Sequence, residues 1–395
     1  MSASLEIVAL PNAASYATFK SQDVSTCTAF RLFTVLGFSY YYALDAIFQP
    51  VDYWRLLFPT FNAEFEISWV YNCGSTTTLV LLVTCGFVPW YMGRIVGGYA
   101  TMLVVLVALP WSHFVLVGET QNLVMVLAST AILSMAISTV DNTTFALASL
   151  FPQGAVEHVQ LGMGFALVLS ALARIFSKAV LSADFVVAAT ILYFAIATGV
   201  VSTGLLAFTK LMRLPTSRHA LHRSQHINLS VWRKIWFQEC IVGVSYACSN
   251  VVYPGVVSTI PSYNFSSLNS TGWWPLLMML LFSISNAVGR YCVRWRMGYT
   301  FETVWQPVVA RWILVPLLLC SAFGWCFTHD VFSTVFVLLL GWSDGYCGTL
   351  AVVVVNDCVN SEELSVTGMC TSLSINIGVL AGSSVALAMA KLLHI

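Results

Sequence analysis

The chain is built from long apolar segments that alternate with short polar ones. Roughly 20 consecutive apolar residues are enough for a helix to cross the hydrocarbon core of a bilayer. Because lipid offers the backbone no hydrogen-bond partners, such a segment is expected to be helical. About eleven segments meet this requirement, at 28–49, 66–91, 95–117, 121–150, 158–181, 184–209, 231–257, 273–293, 304–327, 331–356 and 364–393. The pattern predicts an all-α polytopic membrane protein.

Composition excludes the main alternatives. Charged residues make up 9% of the 395 residues, against about 25% in soluble globular proteins. The formal net charge is zero, and no basic patch is interleaved with aromatic residues, so we expect no nucleic-acid partner. The eleven cysteines lie mostly inside apolar segments, which favours buried side chains over metal ligands or disulfides. No metalloprotease, hydrolase or Walker motif occurs, so we expect neither an enzyme nor a cofactor.

Charge bias predicts how the chain lies in the membrane. The polar loop 210–234 is rich in lysine and arginine and is therefore expected to be cytoplasmic. The segment 258–272 then lies outside, and it contains two glycosylation sequons, at Asn264 and Asn269. Both signals place the N-terminus in the cytoplasm and the C-terminus outside. We expect no cleaved signal peptide and a location in the plasma membrane.

The same loop separates six predicted spans from five. This 6+5 division is typical of two-bundle transporters whose binding site lies near the bilayer midplane. The predicted units are a cytoplasmic segment 1–27, a six-helix bundle 28–209, the basic loop 210–234 and a five-helix bundle 235–395.

One arginine lies too deep in its segment to be explained by the membrane interface. Arg290 follows Asn286 by four residues, so the two side chains share one helix face. An arginine that faces lipid is costly, and the usual solutions are an interior partner, a water-filled path or the interface. We expect Arg290 to face a polar cavity between helices.

Three aspartates add to the buried charge, namely Asp45, Asp141 and Asp344. Buried ions bring a desolvation cost that their mutual attraction rarely exceeds by much. One interpretation pairs Arg290 with one aspartate and leaves the others near interfaces. The other arranges them around one aqueous cavity that binds a polar solute, with a proton as an open alternative.

Four stretches together resemble the equilibrative nucleoside transporter family. The stretch 145–152, with the glycines that follow it, is similar to the family's "LFGLAGLLP…GQG" region. Residues 286–290 resemble its "D-x-x-G-R" signature, and 309–320 resemble "LARLVFVPLLLLC". Residues 343–346 resemble "SNGY". The resemblance implies a major-facilitator-like bundle that moves nucleosides or nucleobases by alternating access.

The resemblance also assigns roles by position. Arg290 takes the place of the arginine that contacts ribose hydroxyls, and Asp141 that of a glutamine that reads the base. The candidate substrate-binding residues are Arg290, Asp141, Asn286, Asp45, Leu44, Tyr41, Phe48, Tyr253 and Ser283. The candidate structural or gating residues are Arg94, Gly289, Asp344 and Arg311. We expect a monomer in the lipid bilayer.

Departures from the family pattern raise one hypothesis. The family's acid in the span-eight signature is Asn286 here, so we expect Asp141 to supply the carboxylate that pairs with Arg290 across the cavity. The excess of acids keeps an organic-cation carrier open as an alternative, and a membrane receptor or channel-like protein without turnover is a second. Proton coupling and purely facilitative transport also both stay open.

Overall fold

The chain folds as a bundle of helices. The computed structural model describes residues 13–58, 63–84, 90–115, 118–151, 154–181, 185–217, 231–270, 272–360 and 362–393. The helices before the basic loop are α1 Ala13–Phe48, α2 Val51–Leu57, α3 Ala63–Thr84, α4 Tyr91–Val115, α5 Glu119–Ser149, α6 Ala155–Val180 and α7 Val186–Arg213. Most of the basic loop, with its predicted charges, lies outside the described residues.

The second half follows the loop. Its helices are α8 Trp232–Val252, α9 Gly255–Thr259, α10 Ser266–Ser270, α11 Trp273–Cys292, α12 Trp305–Ala310, α13 Leu314–Ala322, α14 Asp330–Val355 and α15 Leu364–Leu393. Within the described residues, nine helices or helix pairs are long and apolar enough to cross a membrane. The remaining two long helices are α1 and α3, at the positions of the first two predicted spans. The all-α polytopic prediction is confirmed.

Two local features differ from the simple pattern. Helix α1 already begins at Ala13, whereas apolar content predicted a span only from 28, because helix formation does not require apolar residues. The ninth span is interrupted by a 3-10 turn at Arg311–Ile313. Pro316 has no N–H to donate to the carbonyl of Trp312, so the α-helical pattern cannot be maintained there. The turn places Arg311 inside the bundle.

The two halves meet along α3–α15, α5–α15 and α6–α11. Where α5 ends and α15 begins, the Asn142 side chain donates to the Met369 carbonyl at 3.0 Å. One residue earlier on α5, Asp141 accepts a hydrogen bond of 2.5 Å from Ser372. A Cβ on Gly368 would contact the Phe145 carbonyl, so this glycine permits the close approach of α15 to α5. These contacts close the interface at the end of the bundle that carries the basic loop.

Candidate functional site

Helix α1 presents one partly exposed face inside the bundle. Tyr41, Leu44 and Phe48 are intermediate in exposure, and Asp45 lies on the same face because the spacing follows the helical repeat. The other faces of α1 pack against α6 and α7. Asp45 is 7% exposed and accepts a hydrogen bond of 2.6 Å from the Ser170 hydroxyl of α6. These four predicted residues therefore lie together along one face of α1.

Arg290 connects the two halves of the bundle. It is 4% exposed, and its Nε donates to Asn286 Oδ1 at 2.7 Å. Its Nη1 donates to the Gln160 backbone carbonyl at 3.1 Å and also to the Gln160 side-chain oxygen. Gln160 belongs to α6, in the other half. Among the described residues no carboxylate lies within 4 Å of this guanidinium.

Asn286 continues this contact into the second half. Its Nδ2 donates to Asp344 Oδ2 of α14 at 2.6 Å. The other oxygen of Asp344 forms an ion pair of 3.1 Å with Arg311 and accepts a hydrogen bond of 2.5 Å from Ser249. A continuous polar chain thus runs from Gln160 through Arg290, Asn286 and Asp344 to Arg311. Every member is buried, so each contact is made in a low-dielectric environment where it is strong.

The predicted Arg290–Asp141 pair is therefore wrong for this conformation. The carboxylate nearest to the altered span-eight signature is Asp344, which contacts Asn286 directly. The sequence does indicate this contact, because its departures from the family pattern at positions 286 and 344 are reciprocal. Position 286 has an amide where the family pattern has an acid, and position 344 has an acid where "SNGY" has an amide. The acid and the amide have exchanged helices.

Asp141 has a separate set of contacts on α5. It is 7% exposed, accepts a hydrogen bond from Ser372, and has no basic partner among the described side chains within 4 Å. The buried Tyr40 hydroxyl lies within electrostatic reach of both Asp141 and Arg290. A carboxylate can only accept hydrogen bonds and a guanidinium can only donate them, so the region offers both functions near one aromatic ring.

Two other candidates, Tyr253 and Ser283, differ in their exposure and in their contacts. Tyr253 stacks on Phe282, with ring centroids 3.8 Å apart and planes 15° apart, and it keeps an exposed edge. Ser283 is fully buried, and its hydroxyl donates to the carbonyl of Met279 one turn earlier. Serine in a helix interior commonly makes this bond to its own backbone. A role of Ser283 in substrate binding stays a prediction.

Of the candidate structural residues, Gly289, Asp344 and Arg311 lie along the polar chain that runs from Gln160 to Arg311. Arg94 lies at the end of the bundle that carries the basic loop. A Cβ on Gly289 would contact the Trp342 carbonyl, so this glycine permits α11 to lie directly against α14. Arg94 lies half-buried in the first turn of α4, at the loop end. Among the described residues no group of three or more histidine, cysteine, aspartate or glutamate side chains could hold a metal ion.

The two sequons lie in one ordered turn between α9 and α11. The Asn269 side chain is bonded in both directions to the backbone of Ser262, at 2.8 Å each. The Asn264 amide contacts His329 at 3.1 Å. The Asp330 carboxylate accepts a hydrogen bond from the Tyr263 backbone at 2.6 Å. Burial, followed by the charge of Asp330, raises the pKa of Tyr263. Both asparagines are exposed, and their glycosylation stays a prediction.

Known proteins match both the sequence and the fold. The family model described as "Nucleoside transporter" matches residues 217–390. Equilibrative nucleotide transporter 8 of Arabidopsis thaliana is 22% identical over 91% of this chain and 96% of its own length. These matches support the resemblance of the chain to the equilibrative nucleoside transporter family. Equilibrative nucleoside transporter 4 of Homo sapiens is 24% identical over 40% of this chain and 29% of its own length.

The fold of this chain also occurs in a solved structure. The proton:xylose symporter XylE, a major facilitator superfamily protein, aligns with a TM-score of 0.69 at 12% identity. The alignment covers 94% of this chain and 89% of that one. At this identity the likeness concerns the fold alone, and it confirms the major-facilitator-like architecture.

Sequence reasoning missed three residues that the structure brings to the candidate site. Gln160 contacts Arg290, Tyr246 donates to Gln160 at 3.3 Å, and Ser372 donates to Asp141. The sequence did contain a signal for Gln160, because it is an amide inside a segment long and apolar enough to cross the membrane. Tyr246 and Ser372 carried none, since single tyrosines and serines are common in membrane helices without any role in binding.

Proposed function

We propose that this protein carries nucleosides or nucleobases across a membrane by alternating access, and that it catalyses no chemical reaction. The main support for this proposal is the environment of the Arg290 guanidinium. A buried guanidinium at the boundary between two bundles, held by an amide from each and with no carboxylate of the described residues within 4 Å, retains hydrogen-bonding capacity for a neutral polar solute. Ribose hydroxyl oxygens accept such hydrogen bonds.

The second contact is Asp141. Its carboxylate accepts hydrogen bonds from N–H groups, which purine and pyrimidine bases present on their edges. Tyr41 and Phe48 provide aromatic surface on the partly exposed face of α1. A nucleoside has donors at the base and acceptors at the ribose, so it satisfies Asp141 and Arg290 together. An amide at position 141 both donates and accepts, so we expect the carboxylate to shift base preference.

The closed loop end supports an outward-facing conformation. We place the basic loop and the N-terminus in the cytoplasm and the C-terminus outside, because lysine and arginine concentrate in that loop. The contacts of Asp141 and Asn142 with α15 then form a cytoplasmic gate. Rocking of the bundle 28–209 against the bundle 235–395 opens this gate and closes the opposite end. We propose a monomer in the plasma membrane.

The test is counterflow of labelled adenosine, uridine and hypoxanthine into proteoliposomes that contain the purified protein. Arg290→Ala is expected to abolish counterflow, and Arg290→Lys to recover little of it, because an ammonium lacks the planar fork of donors. The matched control is Arg294→Ala, since Arg294 is exposed and lies two residues past the end of the same helix. Full activity of Arg290→Ala, or counterflow of none of the three solutes, would overturn the proposal.

An organic-cation carrier is the second candidate, because neither Asp45 nor Asp141 has a basic partner among the described residues within 4 Å. The two candidates differ in what they require. Nucleoside transport needs both Asp141 and Arg290, whereas a monoamine needs the carboxylate and is repelled by the guanidinium. Monoamine uptake that survives Arg290→Ala and is lost in Asp141→Asn would favour the cation carrier. A receptor without turnover would show binding but no counterflow.

A further inference from the structure

Glu239 is a buried acid that the polar chain around Arg290 does not use. It lies in the second turn of α8, 1% exposed. Its Oε1 accepts a hydrogen bond of 2.7 Å from the Thr371 hydroxyl of α15. Its Oε2 is buried and makes no hydrogen bond of normal geometry with a described residue, although the Ser374 hydroxyl lies nearby. Only one of the two carboxyl oxygens therefore has a hydrogen-bond partner among the described residues.

The charges around Glu239 do not compensate an ionised carboxylate. Helices α9, α12, α13, α14 and α15 pack against α8. From α15 the titratable neighbour is the Cys370 thiol. Two basic groups on α8 and the segment packed against it have other partners: Arg311 is paired with Asp344, and Lys234 with Glu363 at 2.6 Å. An ionised carboxylate buried without a cation is strongly unfavourable, so the group holds a proton in this conformation.

The place of Glu239 connects it to the gate. The residue after Thr371 is Ser372, which donates to Asp141 of the other half, and Met369 accepts from Asn142. The same turn of α15 is therefore bound on one side to the opposite bundle and on the other side to Glu239. When the halves separate at this end, this turn of α15 loses its dry packing and water reaches the carboxyl group.

We propose that Glu239 is a proton-binding site, and that opening of the gate at the loop end releases its proton. The transport test of this inference depends on the proposed carrier function. The proton-binding site itself does not depend on it. Because the closed gate binds the proton more tightly, low pH favours the closed gate and rising pH favours opening. One linked proton changes the gating equilibrium by at most about tenfold per pH unit.

The experiment measures the rate of adenosine counterflow against pH, with equal pH on both sides of the proteoliposome membrane. In the wild type we expect the rate to rise with pH. Glu239→Gln keeps the acceptor for Thr371 but cannot titrate, so its profile is expected to lose this rise. Thr371→Val removes the hydrogen bond that stabilises the ionised form, so its rise is expected at higher pH. The control Glu302→Gln, at an exposed acid, is expected to match the wild type.

A second readout does not require transport. Infrared difference spectra between wild type and Glu239→Gln are expected to contain the carbonyl stretch of a protonated carboxylic acid at neutral pH. Absence of that band, or a Glu239→Gln pH profile that coincides with the wild-type profile, would overturn the inference. A protein with the band but without counterflow of any nucleoside or nucleobase would contradict the carrier function and leave the proton site standing.

Discussion

The exchanged acid and amide at positions 286 and 344 give the sharpest prediction about stability. The perturbation is a cycle of three variants: Asp344→Asn, Asn286→Asp and the double exchange. The Asn286 amide and the Asp344 carboxylate are 2.6 Å apart, and Asp344 is the ion-pair partner of Arg311 at 3.1 Å. The double exchange keeps the number of charges and moves the acid by one helix, to a position beside Arg290.

Each single variant leaves one group without its partner. Asp344→Asn leaves Arg311, which is 4% exposed, as a buried cation beside a neutral amide. Breaking a buried ion pair in this way costs about 3–5 kcal/mol. Asn286→Asp places two carboxyl groups at hydrogen-bond distance, so one of them must take a proton or repel the other. In the double variant the amide at 344 can donate to the acid at 286, which in turn contacts Arg290.

The cycle is therefore expected to be strongly non-additive. We expect the double variant to be more stable than the sum of the single effects by about 1–3 kcal/mol, the usual coupling of residues in one network. The assay is chemical unfolding of the purified variants in detergent, followed by tryptophan fluorescence, with counterflow measured in parallel. Additive effects, or a double variant less stable than additivity gives, would refute the reasoning that the two positions form one exchanged pair.

Three further predictions concern packing, pH and modification. Gly289→Ala is expected to destabilise the protein by about 1–3 kcal/mol through overpacking, whereas Gly199→Ala, whose Cβ meets nothing within 4 Å, should not lower the melting temperature. The hydrogen bond from Lys234 lowers the pKa of Glu363, so their contact stabilises the protein near neutral pH and is lost as pH falls below the usual glutamate range. For this exposed pair, Glu363→Gln should cost less than about 1 kcal/mol in unfolding experiments at pH 7 and nothing at pH 3. Asn264→Gln should increase the electrophoretic mobility of protein made in eukaryotic cells, and an unchanged mobility would show that Asn264 is not modified.

The fold could be predicted from the sequence because membrane helices obey one strong constraint. Segment length and apolar content alone placed the long helices, and the resemblance supplied the architecture. The start of α1 could not be predicted in this way, because its first turns are helical without being apolar. The break at Arg311–Ile313 was foreseeable only in part, since Pro316 marks a missing hydrogen bond but not the direction in which Arg311 turns.

The candidate site was less predictable, because pairing depends on which helix faces meet. The sequence identified Arg290 and the aspartates as unusual but could not decide between Asp141 and Asp344 as the neighbouring acid. The choice follows from the packing of α11 on α14, where Gly289 permits an approach close enough for Asn286 to reach Asp344. The Ser283 hydroxyl donates a hydrogen bond to the Met279 carbonyl of its own helix, and residue spacing alone does not predict this contact.

The distribution of uncompensated charge constrains what the cavity binds. Asp344 and Arg311 neutralise each other, whereas neither Asp141 nor Arg290 has an oppositely charged side chain within 4 Å among the described residues. Two opposite charges that do not contact each other across a cavity favour a solute that donates to one and accepts from the other. A neutral molecule with both functions leaves the electrostatic balance of the cavity unchanged as it enters and leaves. A charged solute alters that balance and requires a compensating ion, so a neutral, two-ended solute is the one that this arrangement can move without a second substrate.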